Sequence, residues 1–128
     1  MVKGIGTDIA AIPRFQRLLD KPETSFFAKT FSERERAIGH TASFFAGRFA
    51  AKEAVFKALG SLTENKSFDW RIIETLRNQD GSPYIFLSEE LSSIMKEAGV
   101  DTLHISISHE KDYAVAFAIA EKRQHDSH

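Results

Sequence analysis

The sequence has no cysteine, which excludes disulfides, zinc–thiolate sites and thiol nucleophiles and fits a reducing, cytoplasmic setting. It has no apolar run of membrane-spanning length, and Met1-Val2-Lys3-Gly4-Ile5-Gly6 lacks the long apolar core of a signal peptide. Neither sign of charge is in large excess: the formal net charge is −1, so no global basic field points to nucleic acid. No nucleic-acid or membrane partner is therefore expected. There is no P-loop and no Ser/His/Asp triad signature. Gly4-x-Gly6 lacks the third glycine of a dinucleotide fingerprint and lies before the turn rather than in it.

What is present is core-forming material. Hydrophobic residues make up 42% of the 128-residue chain, including 11 Phe, a composition that folds rather than stays disordered. One domain over 1–122 is expected, followed by a polar tail, 123–128, whose two histidines read as solvated. Residues 2–8 read as a strand in which Gly4 and Gly6 permit close backbone approach, and 9–19 as a helix with Pro13 in its first turn. Ser32-Glu33-Arg34-Glu35 fits a capping box, Ser43 a cap for a long helix over 44–59, and Gly60 its stop. A hairpin is expected from 68–77 and 84–87 around Asn78-Gln79-Asp80-Gly81-Ser82-Pro83, then a Ser88-capped helix closed by Gly99. Strands follow over 102–108 and 113–120. The last alternates Tyr113, Val115, Phe117 and Ile119 with alanines, so both of its faces are apolar and it belongs in a sheet centre or at a subunit interface. The mixture predicts an α+β fold with mainly antiparallel sheet around a long central helix.

Glu53 and Lys57 stand out within Phe49-Ala50-Ala51-Lys52-Glu53-Ala54-Val55-Phe56-Lys57-Ala58-Leu59-Gly60. Four residues apart, they share a helix face with Ala46, Phe49, Ala50, Phe56 and Gly60. Charges in an apolar stripe are costly unless they pair or hold something. A structural Glu53–Lys57 ion pair is one reading. The other draws on Asp8, at the end of the first strand, as a metal ligand, although Asp there could equally cap the next helix. Arg48, Lys52 and Lys57 put three cations on one helix, suited to a polyphosphate with a divalent metal; Arg48 and Lys52 could instead be a solvated face. His109, at a strand end, reads as a phosphate contact, an acid/base group or a solvated turn residue. Arg14, Arg17 and Lys21 form a basic edge that is either solvated or docks an acidic partner. Together these groups suggest magnesium-dependent chemistry on a phosphorylated ligand.

Three segments in this order resemble the holo-[acyl-carrier-protein] synthase family of short-chain 4′-phosphopantetheinyl transferases. They are Gly4-Ile5-Gly6-Thr7-Asp8-Ile9 through Arg14; Gly47-Arg48-Phe49-Ala50-Ala51-Lys52-Glu53-Ala54 with Lys57-Ala58-Leu59-Gly60; and Ser106-Ile107-Ser108-His109 with Tyr113-Ala114. Gly81-Ser82-Pro83 matches the family's Gly-x-Pro turn. The resemblance implies the phosphopantetheinyl transferase-like fold. It also implies transfer of phosphopantetheine from coenzyme A to a serine of an acyl carrier protein, or a carrier domain of a fatty acid synthase, releasing 3′,5′-ADP. It makes Asp8 and Glu53 ligands of Mg2+, and Lys57 a stabiliser of the transferring or leaving phosphate. Arg48, Lys52, Gly60 and His109 become coenzyme A contacts, and Arg14, Arg17 and Lys21 the carrier-docking edge. The serine proton goes to Glu53 or to a water on the magnesium. The family further implies a homotrimer with active sites between protomers, for which the small-residue strand 113–120 would form a close core. One departure is the loop after Gly60, Ser61-Leu62-Thr63-Glu64-Asn65-Lys66, where the family has a glycine-containing Thr-Gly-Ile type. The competing reading is a non-catalytic trimeric module that binds coenzyme A or docks carriers; binding alone has no need of two carboxylates beside a pyrophosphate.

Overall fold

The computed structural model describes residues 1–64 and 68–123. Asn65 and Lys66 of the divergent loop, and 124–128 of the expected polar tail, lie outside the described residues. The chain runs β1 (Val2–Ala11), α1 (Ile12–Leu19), α2 (Phe26–Thr30), α3 (Glu33–Ile38), α4 (Ala42–Gly60), a 3₁₀ turn (Trp70–Ile72), β2 (Glu74–Arg77), β3 (Pro83–Phe86), α5 (Glu89–Glu97), β4 (Thr102–His109) and β5 (Tyr113–Glu121). Strands β1, β5 and β4 form one antiparallel sheet with β5 in the centre, and β2 and β3 form a separate hairpin.

Helix α4 lies across all three strands of the larger sheet and also meets α1 and β2. It is covered on nearly every side, which is why its apolar residues run all round rather than along one stripe. Against it β5 packs Ala114, Ala116, Ala118 and Ala120, all fully buried. The strand thus stands at the centre of its sheet, one of the two places expected for it, and its alanines let the sheet approach α4. The large residues of β5 point the other way, and Tyr113, Phe117 and Ile119 remain exposed beside Ile5 and Ile9 of β1, which are 68% and 63% exposed.

Phenylalanines account for the remaining helices. Phe15 of α1, Phe26 and Phe27 of α2, Phe31, and Phe45 and Phe49 of α4 form a continuous ring cluster with centroid separations of 4.7 to 6.4 Å. Phe15 and Phe31 are completely buried, each worth about 1.5–3 kcal/mol relative to exposure. Sequence periodicity misses α2, which is only five residues long and is held by this cluster.

Local signals behave as their chemistry requires. Ser32 and Glu35 form the reciprocal capping box of α3, Ser88 caps α5, and Gly99 follows it at φ +75°. Two boundaries move. Strand β1 continues past Asp8, with Ile9 and Ala11 opposite Val115 and Tyr113, so Asp8 sits within the strand and caps no helix. Helix α4 is capped by Thr41, whose hydroxyl accepts from the Phe44 N–H, rather than by Ser43. The expected strand 68–77 is a strand only from Glu74, because the Asp69 side chain accepts from the Arg71 N–H and turns the preceding residues into a 3₁₀ turn.

Candidate active site

Two glycines bring the first strand onto the central helix. A Cβ on Gly6 would lie 1.8 Å from the Ala54 carbonyl oxygen, and one on Gly4 would lie 2.1 Å from that of Ala58. No side chain fits at either position, so the backbone of β1 rests directly on α4. The next residues of the strand are thereby delivered beside the last turns of the helix. Lys57 Nζ donates to Asp8 Oδ1 and to the Thr7 carbonyl, both at 3.1 Å. The ion pair is thus Asp8–Lys57, not the Glu53–Lys57 pair that the helix alone suggests. Lys57 remains half-exposed, with a third N–H still available.

Glu53 lies one turn before Lys57 and is half-buried. Burial raises its pKa, and the Asp8 charge raises it further; Lys57 and Arg14 oppose both. Asp8, Glu53, Lys57 and Arg14 therefore occupy one neighbourhood, and its two carboxylates repel. Such a pair fits a magnesium ion, which commonly takes one or two protein carboxylates and completes its shell with water and substrate phosphates. Among the described residues no cluster of three or more His, Cys, Asp and Glu could make an all-protein cage. Gly60 ends α4 seven residues after Glu53, about 10 Å further along the axis. Open space surrounds the position a Cβ would take there.

A second cluster forms at the other edge of the sheet. Gly47 leaves room for the His109 ring, since a Cβ there would lie 2.7 Å from Nε2. Nε2 stands 3.0 Å from the Ser43 carbonyl, which can only accept, so this nitrogen carries the proton. Arg48 is buried, donates to the Leu76 carbonyl at 3.2 Å, and lies 4.9 Å from the centre of the Phe44 ring. Burial pulls its pKa down, and the neighbouring Arg77 charge lowers it further. Arg48, Arg77, Ser43, Phe44, Gly81, Pro83 and His109 surround a cavity of about 360 Å³. Arg77, absent from the expected set, is recognisable only once the hairpin is folded against α4.

Lys52 is the clearest correction. It is fully buried, and its three N–H groups go to Glu35 at 2.7 Å and to the Trp70 and Ile73 carbonyls at 2.8 and 2.7 Å. Nothing is left over for a ligand phosphate. Glu35 in turn accepts from the Ser32 N–H, the Thr75 N–H and the Thr75 hydroxyl. The pair ties α3, α4 and β2 together inside the core.

Of the basic edge, Arg14 and Arg17 are exposed on α1, and exposed Lys21 lies beyond the helix end. Arg14 stacks over Phe15 and Phe49, at 5.5 and 5.6 Å, and its charge reaches Glu53. This edge therefore runs up to the carboxylate pair.

The model of the 4′-phosphopantetheinyl transferase superfamily matches residues 4–118. A holo-[acyl-carrier-protein] synthase of Alkaliphilus metalliredigens is 45% identical over 94% of this chain and 99% of its own length. Among solved structures, the holo-[acyl-carrier-protein] synthase of Neisseria meningitidis superposes with a TM-score of 0.81 at 32% identity, covering 95% of this chain and all of that one. The Bacillus anthracis synthase, solved in complex with coenzyme A (3′,5′-ADP), gives 0.75 at 34% identity over 96% of this chain and 99% of that one. Matched by the family model over most of its length, and alike in sequence and fold to these proteins over nearly the whole of both chains, the chain belongs to the holo-[acyl-carrier-protein] synthase family of the 4′-phosphopantetheinyl transferase superfamily.

Proposed function

We propose that this protein transfers 4′-phosphopantetheine from coenzyme A to a serine of an apo-acyl carrier protein, free or within a synthase, in the cytoplasm. Residues 1–122 act as one transferase domain. The observation that carries the mechanism is the repelling Asp8–Glu53 pair beside Lys57. These two carboxylates would hold Mg2+, which when bound supplies positive charge against the pyrophosphate of coenzyme A. The serine oxygen forms a bond to the phosphorus that carries pantetheine. The bond from that phosphorus to the bridging oxygen breaks, and the oxygen leaves with 3′,5′-ADP. Glu53, half-buried beside Asp8 and Lys57, takes the serine proton. Lys57, half-exposed and able to leave Asp8, places its ammonium against the charge growing on the leaving phosphate.

The two clusters sit at opposite edges of the sheet, Asp8 on β1 and His109 on β4, with β5 between them. Strand spacing puts those edges about 10 Å apart. A ring of protomers would bring the β1 edge of one subunit to the β4 edge of the next, a heterologous contact that closes by rotation. The exposed apolar face of Ile5, Ile9, Tyr113, Phe117 and Ile119 is the surface such a ring would cover. A homotrimer with each site shared between two protomers is the assembly this reading adopts.

The basic edge of α1 receives the acidic carrier. Arg17 is the cleaner probe, because Arg14 also acts on Glu53. Arg17→Glu is expected to raise the KM for carrier about tenfold or more, far beyond its effect on the KM for coenzyme A, and the difference should shrink as salt rises. Steady-state kinetics at two ionic strengths check this. An equal rise for both substrates would move the docking surface elsewhere.

The whole reading is tested by incubating the protein with apo-carrier, coenzyme A and Mg2+ and weighing the carrier intact. The carrier should gain one phosphopantetheine group on serine. A carrier of unchanged mass, with coenzyme A nonetheless bound, would favour the non-catalytic module.

A further inference from the structure

Asp8 lies on the side of β1 that faces α4, in line with Gly4, Gly6 and Ala10. Only 18% of its side chain is exposed, and the Lys57 ammonium lies against Oδ1 at 3.1 Å. The Thr7 carbonyl, also at 3.1 Å, holds the ammonium from the strand itself. Glu53, one turn earlier on α4, feels the same charge, which opposes the rise in its pKa. One ammonium therefore serves both carboxylates, in the place where a divalent cation shared by them would bring its own charge. The two cannot sit there together at low cost. Each repels the other, and little of Asp8 is open to a second cation.

Lys57 is able to give way. Its side chain is 52% exposed and ends a flexible aliphatic stem. A half-exposed ion pair is a weak tie. A pyrophosphate would offer Lys57 new oxygens while adding others to the shell of the cation. Resting on the transferase reading above, we infer that Lys57 is a place-holder: it competes with the divalent cation for Asp8, so that the cation alone binds poorly and enters readily only with coenzyme A, whose pyrophosphate draws the ammonium away.

The test reads metal binding without turnover. Mn2+ takes the same oxygen ligands as Mg2+, and its free form is counted by electron paramagnetic resonance. Titrated without coenzyme A, Lys57→Met should bind Mn2+ about fivefold more tightly than wild type, the scale of one half-exposed ion pair. Arg14→Gln removes a charge that acts on Glu53 from over the Phe15 and Phe49 rings, and it controls for charge alone. Its gain should be less than about twofold, because exposed charges act through screening solvent. In wild type, Mg2+ alone should speed the labelling of Lys57 by an amine-directed acylating reagent, read by peptide mass spectrometry. Coenzyme A added with Mg2+ should protect it. An unchanged or weaker Mn2+ affinity in Lys57→Met, an equal gain in Arg14→Gln, or a labelling rate unmoved by bound Mg2+ would each overturn the competition and leave the transferase reading intact. A wild-type protein that holds no Mn2+ even with coenzyme A would overturn the shared metal site as well.

Discussion

Glu53→Gln is expected to melt at a higher temperature than wild type at neutral pH and yet to transfer at least about a hundredfold more slowly, the scale of losing one preorganised charge. The two effects have one cause. Burial and the Asp8 charge hold the pKa of Glu53 above its ordinary value. A raised folded pKa means that the protonated form suits the fold, and that stability is lost as pH rises through it. Glutamine keeps the shape and removes the ionisation. Its advantage should therefore appear above the Glu53 pKa and vanish as the solution is acidified. Mg2+ should stabilise the wild type and narrow the gap, because a cation bound by the folded state alone favours that state. Thermal melts across pH, with and without Mg2+, and transfer rates check this. A Glu53→Gln protein less stable than wild type at neutral pH would make Glu53 a structural group.

The second large effect concerns Lys52. Lys52→Met should destabilise the protein by about 3–5 kcal/mol, the cost of removing one partner of a buried ion pair. Methionine leaves Glu35 without its cation and the Trp70 and Ile73 carbonyls without a donor. Making the site wholly apolar should not rescue it, because Glu35 also serves the Ser32 and Thr75 N–H groups. Transfer per folded molecule and the KM for coenzyme A should stay near wild type. Denaturant unfolding and kinetics separate the possibilities. A stable Lys52→Met protein with a raised KM for coenzyme A would return Lys52 to the phosphate contacts.

Lys52 also marks where the sequence stops being informative. Lysine on a helix ordinarily reaches solvent, and the pattern of α4 offers no polar side to place it on, because strands cover one flank and α1 with β2 the other. Only Glu35, 17 residues earlier, reveals its partner. Local features were legible: the capping residues Ser32 and Ser88, Gly99, and the alternation of β4 and β5, each of which acts through near neighbours. The closeness required at Gly4 and Gly6 was legible as well, although its partner was not; the carbonyls of Ala58 and Ala54 emerge only from tertiary packing. The Asp8–Lys57 contact spans 49 positions, and Arg77 comes to the same cavity as Arg48 only when the hairpin folds against α4, so neither placement has a local signature. The motif nominated Asp8, Glu53, Lys57, Arg48 and His109 as individuals, and packing sorted them into two clusters.

Whether Asp8 and Glu53 share one divalent cation with coenzyme A is settled most directly by binding rather than turnover. Calorimetric titration of coenzyme A into wild type and Asp8→Ala, each with Mg2+ and with EDTA, isolates the contribution of the metal. Wild type should bind coenzyme A much more tightly with Mg2+ than with EDTA. Asp8→Ala should bind with nearly the same affinity in both, and circular dichroism should show its fold intact. An Asp8→Ala protein that retains the full Mg2+ dependence of wild type would contradict the site described for Asp8 and Glu53.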